Sequence, residues 1–103
     1  MAEMRALYRR YDLFLTANSS AAPRLDKHSV LSFWKQGNLT SPFNCTGGPA
    51  LAVPCGFTQA GLPLSMQIAG RPFDDARVLA AGHAYDQATE WTKRYPNLAP
   101  SAP

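Results

Sequence analysis

No apolar run in this sequence approaches the roughly 18 residues that a membrane-spanning helix needs. Nor does an apolar stretch follow Met1-Ala2-Glu3-Met4-Arg5, so no secretory leader is expected and a cytoplasmic location is. Cysteine is scarce. Cys45 and Cys55 allow one disulfide at most. Without an export signal, two reduced thiols acting as small core hydrophobes are expected instead. Histidine is equally scarce, with His28 and His83 alone, and no metal-ligand spacing links the four residues. Charge of one sign is lacking too. The net charge is +3, the basic residues are scattered, and no basic stripe is interleaved with aromatics. Nucleic-acid binding by this chain is therefore not expected.

What is present bounds the fold. A chain of 103 residues makes one small domain or a piece of a larger one. It can bury roughly two-thirds of its unfolded surface if its elements pack on one another. Nine prolines, set in loops and near the C-terminus, predict long irregular connections. Such connections suit a segment wrapped around something else.

In chain order, residues 2–11 read as a short helix, with Met4, Leu7, Tyr8 and Tyr11 on one stripe and Arg5, Arg9 and Arg10 on a solvated face. No N-cap residue precedes it, which suggests a pattern entered midway. Asp12-Leu13-Phe14-Leu15-Thr16 reads as a buried strand and Asn18 to Lys27 as loop. Ser29 to Gln36 fits one or two helical turns, and Leu39 to Pro49 reads as irregular. Leu51–Phe57 and Leu64–Ala69 read as an antiparallel pair. Leu51, Val53, Cys55 and Phe57 are placed on one face of the first strand. Pro54 cannot donate a ladder hydrogen bond, so its strand must lie at an edge or carry a bulge. A final helix starts near Asp74, with Phe73 and Val78 as a hydrophobic staple and Asp74 as N-cap. Its inward stripe is Val78, Ala81, Gly82, Tyr85 and Ala88, and Trp91 closes it. Residues 1–92 form the domain portion, and 93–103 a polar, Pro-containing tail.

Candidate chemistry is weak residue by residue. Ser19-Ser20 has no glycine beside it to bring oxyanion-binding amides close, so a plain loop is favoured. Cys45 or Cys55 with His28 or His83 lacks a catalytic-cysteine signature, and Cys55 falls in a predicted strand. His83 lies off the inward stripe. Thr46-Gly47-Gly48 lacks the Lys-Ser/Thr of a phosphate loop and reads as turn geometry. Asp74-Asp75 reads as a helix start, and Lys27 and Lys35 have no evident desolvating pocket.

An ordered set of motifs says more. Phe43-Asn44-x-Thr46-Gly47-x-Pro49-Ala50 is followed by Val53-Pro54-Cys55-Gly56-Phe57, Gly61-Leu62-Pro63 and Gln67-Ile68-x-Gly70-Arg71. Together these resemble the C-terminal region of the amidase signature family. Tyr11 to Thr16 looks like the family's buried strand before a Pro-rich loop. Phe73-Asp74-Asp75 and His83 to Trp91 look like its last helix. The likeness runs over residues 4 to 95. It departs at Ala17-Asn18-Ser19, where the family usually has a Thr-Pro pair.

The resemblance implies a mixed α/β fold, a sheet wrapped by helices, to which this chain would supply a short helix, a buried strand, a strand pair and the final helix. It implies amide hydrolysis by a lysine, a cis-peptide serine and a nucleophilic serine. Those lie in an upstream Gly/Ser-rich signature that nothing here matches, so no catalytic residue carries over and binding residues are left unassigned. No cofactor or metal is implied. The leading expectation is a C-terminal fragment of an amidase, inactive alone, whose partner is the missing N-terminal part of the domain and whose parent acts on a small-molecule amide. Three alternatives stay open: a non-enzymatic interaction module, one half of a split enzyme, and a piece of the amidating subunit of a tRNA-dependent amidotransferase. A homodimeric parent is also left open.

Overall fold

A computed structural model of the chain describes residues 2–18, 29, 31 and 39–96. The element order is α1 (Ala2–Arg10), β1 (Leu13–Ala17), α2 (Ser41–Thr46), β2 (Ala50–Phe57), β3 (Pro63–Gly70) and α3 (Asp75–Thr89), with a 3-10 turn at Trp91–Lys93. The strands form one antiparallel sheet in the order β1-β3-β2. The mixed α/β class expected from the sequence holds, as does the antiparallel β2–β3 pair. The one or two helical turns expected at residues 29–36 lie almost wholly outside the described residues, and Ser19, Ser20, Lys27, His28 and Lys35 lie outside them.

β3 is central, and its C-terminal half is buried on both faces: Gln67 and Ile68 are each 2% exposed and Ala69 is fully buried. Register sorts the rest. Leu15 and Leu51 both pair with Ile68, and Val53 pairs with Met66, so these side chains share one face. α3 covers it with Val78 and Gly82. Phe14 pairs with Ala69 on the opposite face. There Tyr8 and Tyr11 meet the Phe14 ring edge-on at 5.3 and 6.2 Å, which places α1 on that side.

Glycine sets how closely the layers approach. A Cβ on Gly82 would run into the Leu51 side chain, so the missing side chain brings α3 down onto β2. A Cβ on Gly48 would come within 2.6 Å of the Gly70 carbonyl oxygen and 3.1 Å of the Tyr8 hydroxyl.

Several expectations need correction. β1 is a strand, but an outer one rather than a buried one, with Leu15 66% exposed. Among the described residues only one of its edges is paired. The stretch read as irregular contains α2, which has Pro42 in its first turn and ends on Gly47 at φ 69°, a left-handed conformation suited to glycine. Pro54 does lie on an outer strand and at an irregularity: the pairing steps from Pro54↔Ser65 to Gly56↔Leu64, leaving Cys55 as the extra residue. That bulge resets the alternation, so Gly56 takes the face expected for Cys55, and Phe57 aligns with Pro63.

The staple at the start of α3 does not form. Phe73 is 98% exposed with φ 68°, and the Asp74 carboxylate makes no capping hydrogen bond. It pairs instead with Arg77 Nε at 3.0 Å. Of the expected α3 stripe, Val78 and Gly82 are buried, Ala81 and Tyr85 half-buried, and Ala88 exposed. α3 ends at Thr89 on left-handed Glu90, and Trp91 begins the next turn, stacking edge-on with Phe57 at 6.1 Å. Of the stripe expected for the first helix, Met4 and Tyr8 are half-buried, while Leu7 and Tyr11 are exposed, Tyr11 lying just past the end of α1. The tail boundary expected at residue 93 falls on the last residue of the 3-10 turn. Residues 97–103 lie outside the described residues.

The two close approaches predict unequal responses. Gly48→Ala drives a methyl into a backbone carbonyl and should cost about 1–3 kcal/mol. Gly82→Ala displaces only the end of a half-buried leucine and gains up to about 1 kcal/mol of helix propensity, so its net effect should stay within about 1 kcal/mol. Urea unfolding of both variants followed by circular dichroism checks the ordering.

Candidate functional site

Two features of the structure gather polar chemistry. The first is Gln67, the buried polar side chain of the sheet. Its Nε2 donates to the Leu39 carbonyl at 2.8 Å and to the Ala17 carbonyl at 3.3 Å. A glutamine amide has two N–H groups, so both acceptors can be served at once. The bonds tie the end of β1 and the approach to α2 onto β3. Beside them, Asn18 Nδ2 donates to Ser65 Oγ at 3.1 Å.

The second feature is a cleft of about 540 Å³ lined by Met4, Arg5, Tyr8, Arg9, Thr46, Arg71 and Pro72. α1 contributes one wall: Arg5 and Arg9 stand one turn apart with Tyr8 between them on the same side. The end of α2 contributes Thr46, whose hydroxyl donates to the Phe43 carbonyl at 3.2 Å. The exit of β3 contributes Arg71.

Arg71 is held from behind. Its Nη2 donates to Asp12 Oδ1 at 2.9 Å and to the Tyr11 carbonyl at 3.4 Å. Asp12 also meets Arg77 Nη1 at 3.2 Å, and Arg77 holds Asp74. The result is a chain of four charges, Arg71–Asp12–Arg77–Asp74, joining β1, the β3 exit and the first turn of α3. All four side chains keep substantial exposure, so each pair is worth about 0–1 kcal/mol and orients more than it stabilises.

The sequence candidates fall elsewhere. Thr46-Gly47-Gly48 is turn geometry, as expected: Gly47 N–H donates to the Phe43 carbonyl at 3.0 Å. Asp74-Asp75 begins α3. Cys45 is exposed on α2 and Cys55 is half-buried, so neither is the core thiol expected, and both are free. His83 is exposed on α3. Among the described residues no cluster of three or more His, Cys, Asp or Glu side chains could hold a metal ion. No described helix is long and apolar enough to cross a membrane.

The cleft was missed in the sequence. Tyr8 was expected on the apolar stripe and Arg5 and Arg9 on the solvated face, whereas their i, i+3, i+4 spacing lets all three line the cleft. Nothing in that spacing brings Thr46 and Arg71 to them.

Comparison with known proteins adds lineage to this geometry. The family model described as Amidase matches residues 1–79. The glutamyl-tRNA(Gln) amidotransferase subunit designated A in Moorella thermoacetica is 39% identical over 93% of this chain and 20% of its own length. The subunit of the same name from Chloroflexus aggregans is 53% identical over 58% of this chain and 12% of its own. The crystal structure of the same-named subunit from Thermotoga maritima superimposes with a TM-score of 0.77 and 28% identity, over 98% of this chain and 23% of that one. The chain thus spans about a fifth or less of the length of these curated relatives.

Replacing Gln67 by leucine keeps the bulk and removes the donor. Gln67→Leu should cost about 1–3 kcal/mol. It should also speed amide hydrogen exchange at Phe43 and Asn44, whose N–H groups bond the Thr40 carbonyl just after the tie point. The thiols give a second check. Cys45 should react with a disulfide reagent several-fold faster than Cys55, read by comparing Cys45→Ser with Cys55→Ser.

Proposed function

The chain belongs to the amidase family, and from that premise we propose that it is the closing segment of an amidase domain, completing the sheet and a pocket wall of a catalytic body. Residues 1–92 form this segment and 93–103 a polar tail. The observation that carries the proposal is the lopsided coverage: nearly all of this chain corresponds to less than a quarter of a solved protein of that kind. The motifs shared with the family supply α2, β2, β3 and the turns between them, which are elements of a scaffold. In this reading amide-bond cleavage is performed by serine and lysine residues of the upstream polypeptide. That polypeptide is this chain's partner, the substrate is a small amide, and the location is cytoplasmic.

A second reading has its own support. The relatives carry the name of an amidotransferase subunit. Their resemblance favours the amidating subunit of a tRNA-dependent amidotransferase over a free-standing amidase. Glutamine would then be the amide hydrolysed.

The 103-residue chain alone should not turn over a simple aryl amide or glutamine. Expressed together with an amidase polypeptide lacking the matching segment, it should restore turnover, and preference for glutamine or for the aryl amide separates the two readings. Turnover by the purified chain alone, abolished by Ser19→Ala or Cys55→Ala, overturns the proposal.

A further inference from the structure

We propose that the cleft between α1 and the exit of β3 is a carboxylate-binding site, with Arg71 as its anchor and Tyr8, Arg5 and Arg9 as its supporting donors. The inference starts from two of the three buried side-chain atoms that lack a hydrogen-bond partner among the described residues, the third being Thr16 Oγ1. Tyr8 Oη and Arg71 Nε are both buried and have no hydrogen-bond partner. Both residues line the cleft. A buried donor without an acceptor is unfavourable, and both of these belong to residues that line one space.

The chemistry of that space selects the ligand. Its charged lining residues are Arg5, Arg9 and Arg71, with no carboxylate beside them in the lining. The guanidinium of Arg71 is already oriented, because Nη2 is engaged by Asp12 and the Tyr11 carbonyl. That leaves Nε–H as a guanidinium donor with no partner. An unpaired guanidinium N–H gives a charge-assisted hydrogen bond to a carboxylate oxygen. The Arg71 side chain is 40% exposed, so a ligand can reach the guanidinium. Tyr8 adds a neutral hydroxyl donor, and the positive potential of Arg5 and Arg9 draws an anion in. The closeness of Gly48 to the Tyr8 hydroxyl explains why that hydroxyl is covered on its inner side.

The carboxylate can come from a free small acid or from an aspartyl or glutamyl side chain of a polypeptide. This assignment does not rest on the amide-hydrolysing reading, because it concerns only residues of this chain.

The test is a titration of the full 103-residue chain followed by NMR at the Arg71 Nε–H and the Thr46 amide. The probes are sodium succinate and a blocked Gly-Asp-Gly peptide, with sodium chloride at matched ionic strength as control. Saturable shifts with either carboxylate probe, absent with chloride, are expected. Tighter binding of succinate marks a free acid as the source. Equal or tighter binding of the peptide marks a polypeptide side chain. Arg71→Gln should weaken binding about tenfold or more, the equivalent of one charge-assisted hydrogen bond. Arg5→Gln, on an exposed helix face, should weaken it about threefold without disturbing the fold, and Arg94→Gln should leave it unchanged. No saturable shift with either probe overturns the proposal. So does binding that survives Arg71→Gln, or binding that Arg5→Gln and Arg94→Gln weaken equally.

Discussion

Everything in this structure is fastened to β3, and the constraint that governs it is double burial. The strand is paired along both edges and covered on both faces over its C-terminal half. α3 covers one side, and α1 with the approach to α2 covers the other. Such a strand can carry a polar side chain only if that side chain finds partners. The Gln67 Nε2 group finds two carbonyl acceptors. Its bonds turn a buried amide, otherwise a cost, into the tie that fixes where β1 ends and where α2 begins.

Close approach follows from the same constraint. A strand covered on both faces sets the spacing of two layers at once. Gly82 lets α3 settle against Leu51, and Gly48 lets the β2 entry pass the end of β3. Gly70 sits between Val78 and Pro49 in the same manner. The glycines and prolines that mark the stretch from Phe43 to Arg71 therefore work mainly as spacers and turns.

How much of this was legible in the sequence depended on the range of the interaction. Period-two alternation identified β3, and a Gly-containing link identified its hairpin with β2, because both signals are local. Pro54 announced an irregular outer strand for a local reason too, its missing N–H. The bulge itself, at Cys55, was not visible, so the faces of Cys55 and Phe57 came out wrong. The staple failed because Phe73 sits in a left-handed turn that apolar spacing does not encode. Asp74 left its capping role for Arg77, a partner one helical turn away. α2 was missed because six residues are too few for a periodic signal. The cleft was illegible for the same physical reason at longer range. Its walls come from residues 4–9, 46 and 71–72, and only the folded sheet brings them together. The family likeness was legible because it rests on ordered motifs, and it pointed to lineage without placing a single reactive group.

The bulge at Cys55 also makes the two margins of the sheet unequal. On β2 the outer rim is broken twice in succession, by a proline that has no N–H to offer and by a residue out of step with its neighbours. On β1 the outer rim is regular and, among the described residues, unpaired, and Leu15 stands beside it with two-thirds of its surface in solvent. Among the described residues the sheet therefore has a direction: one margin is interrupted, and the other keeps the regular geometry that a further strand would need.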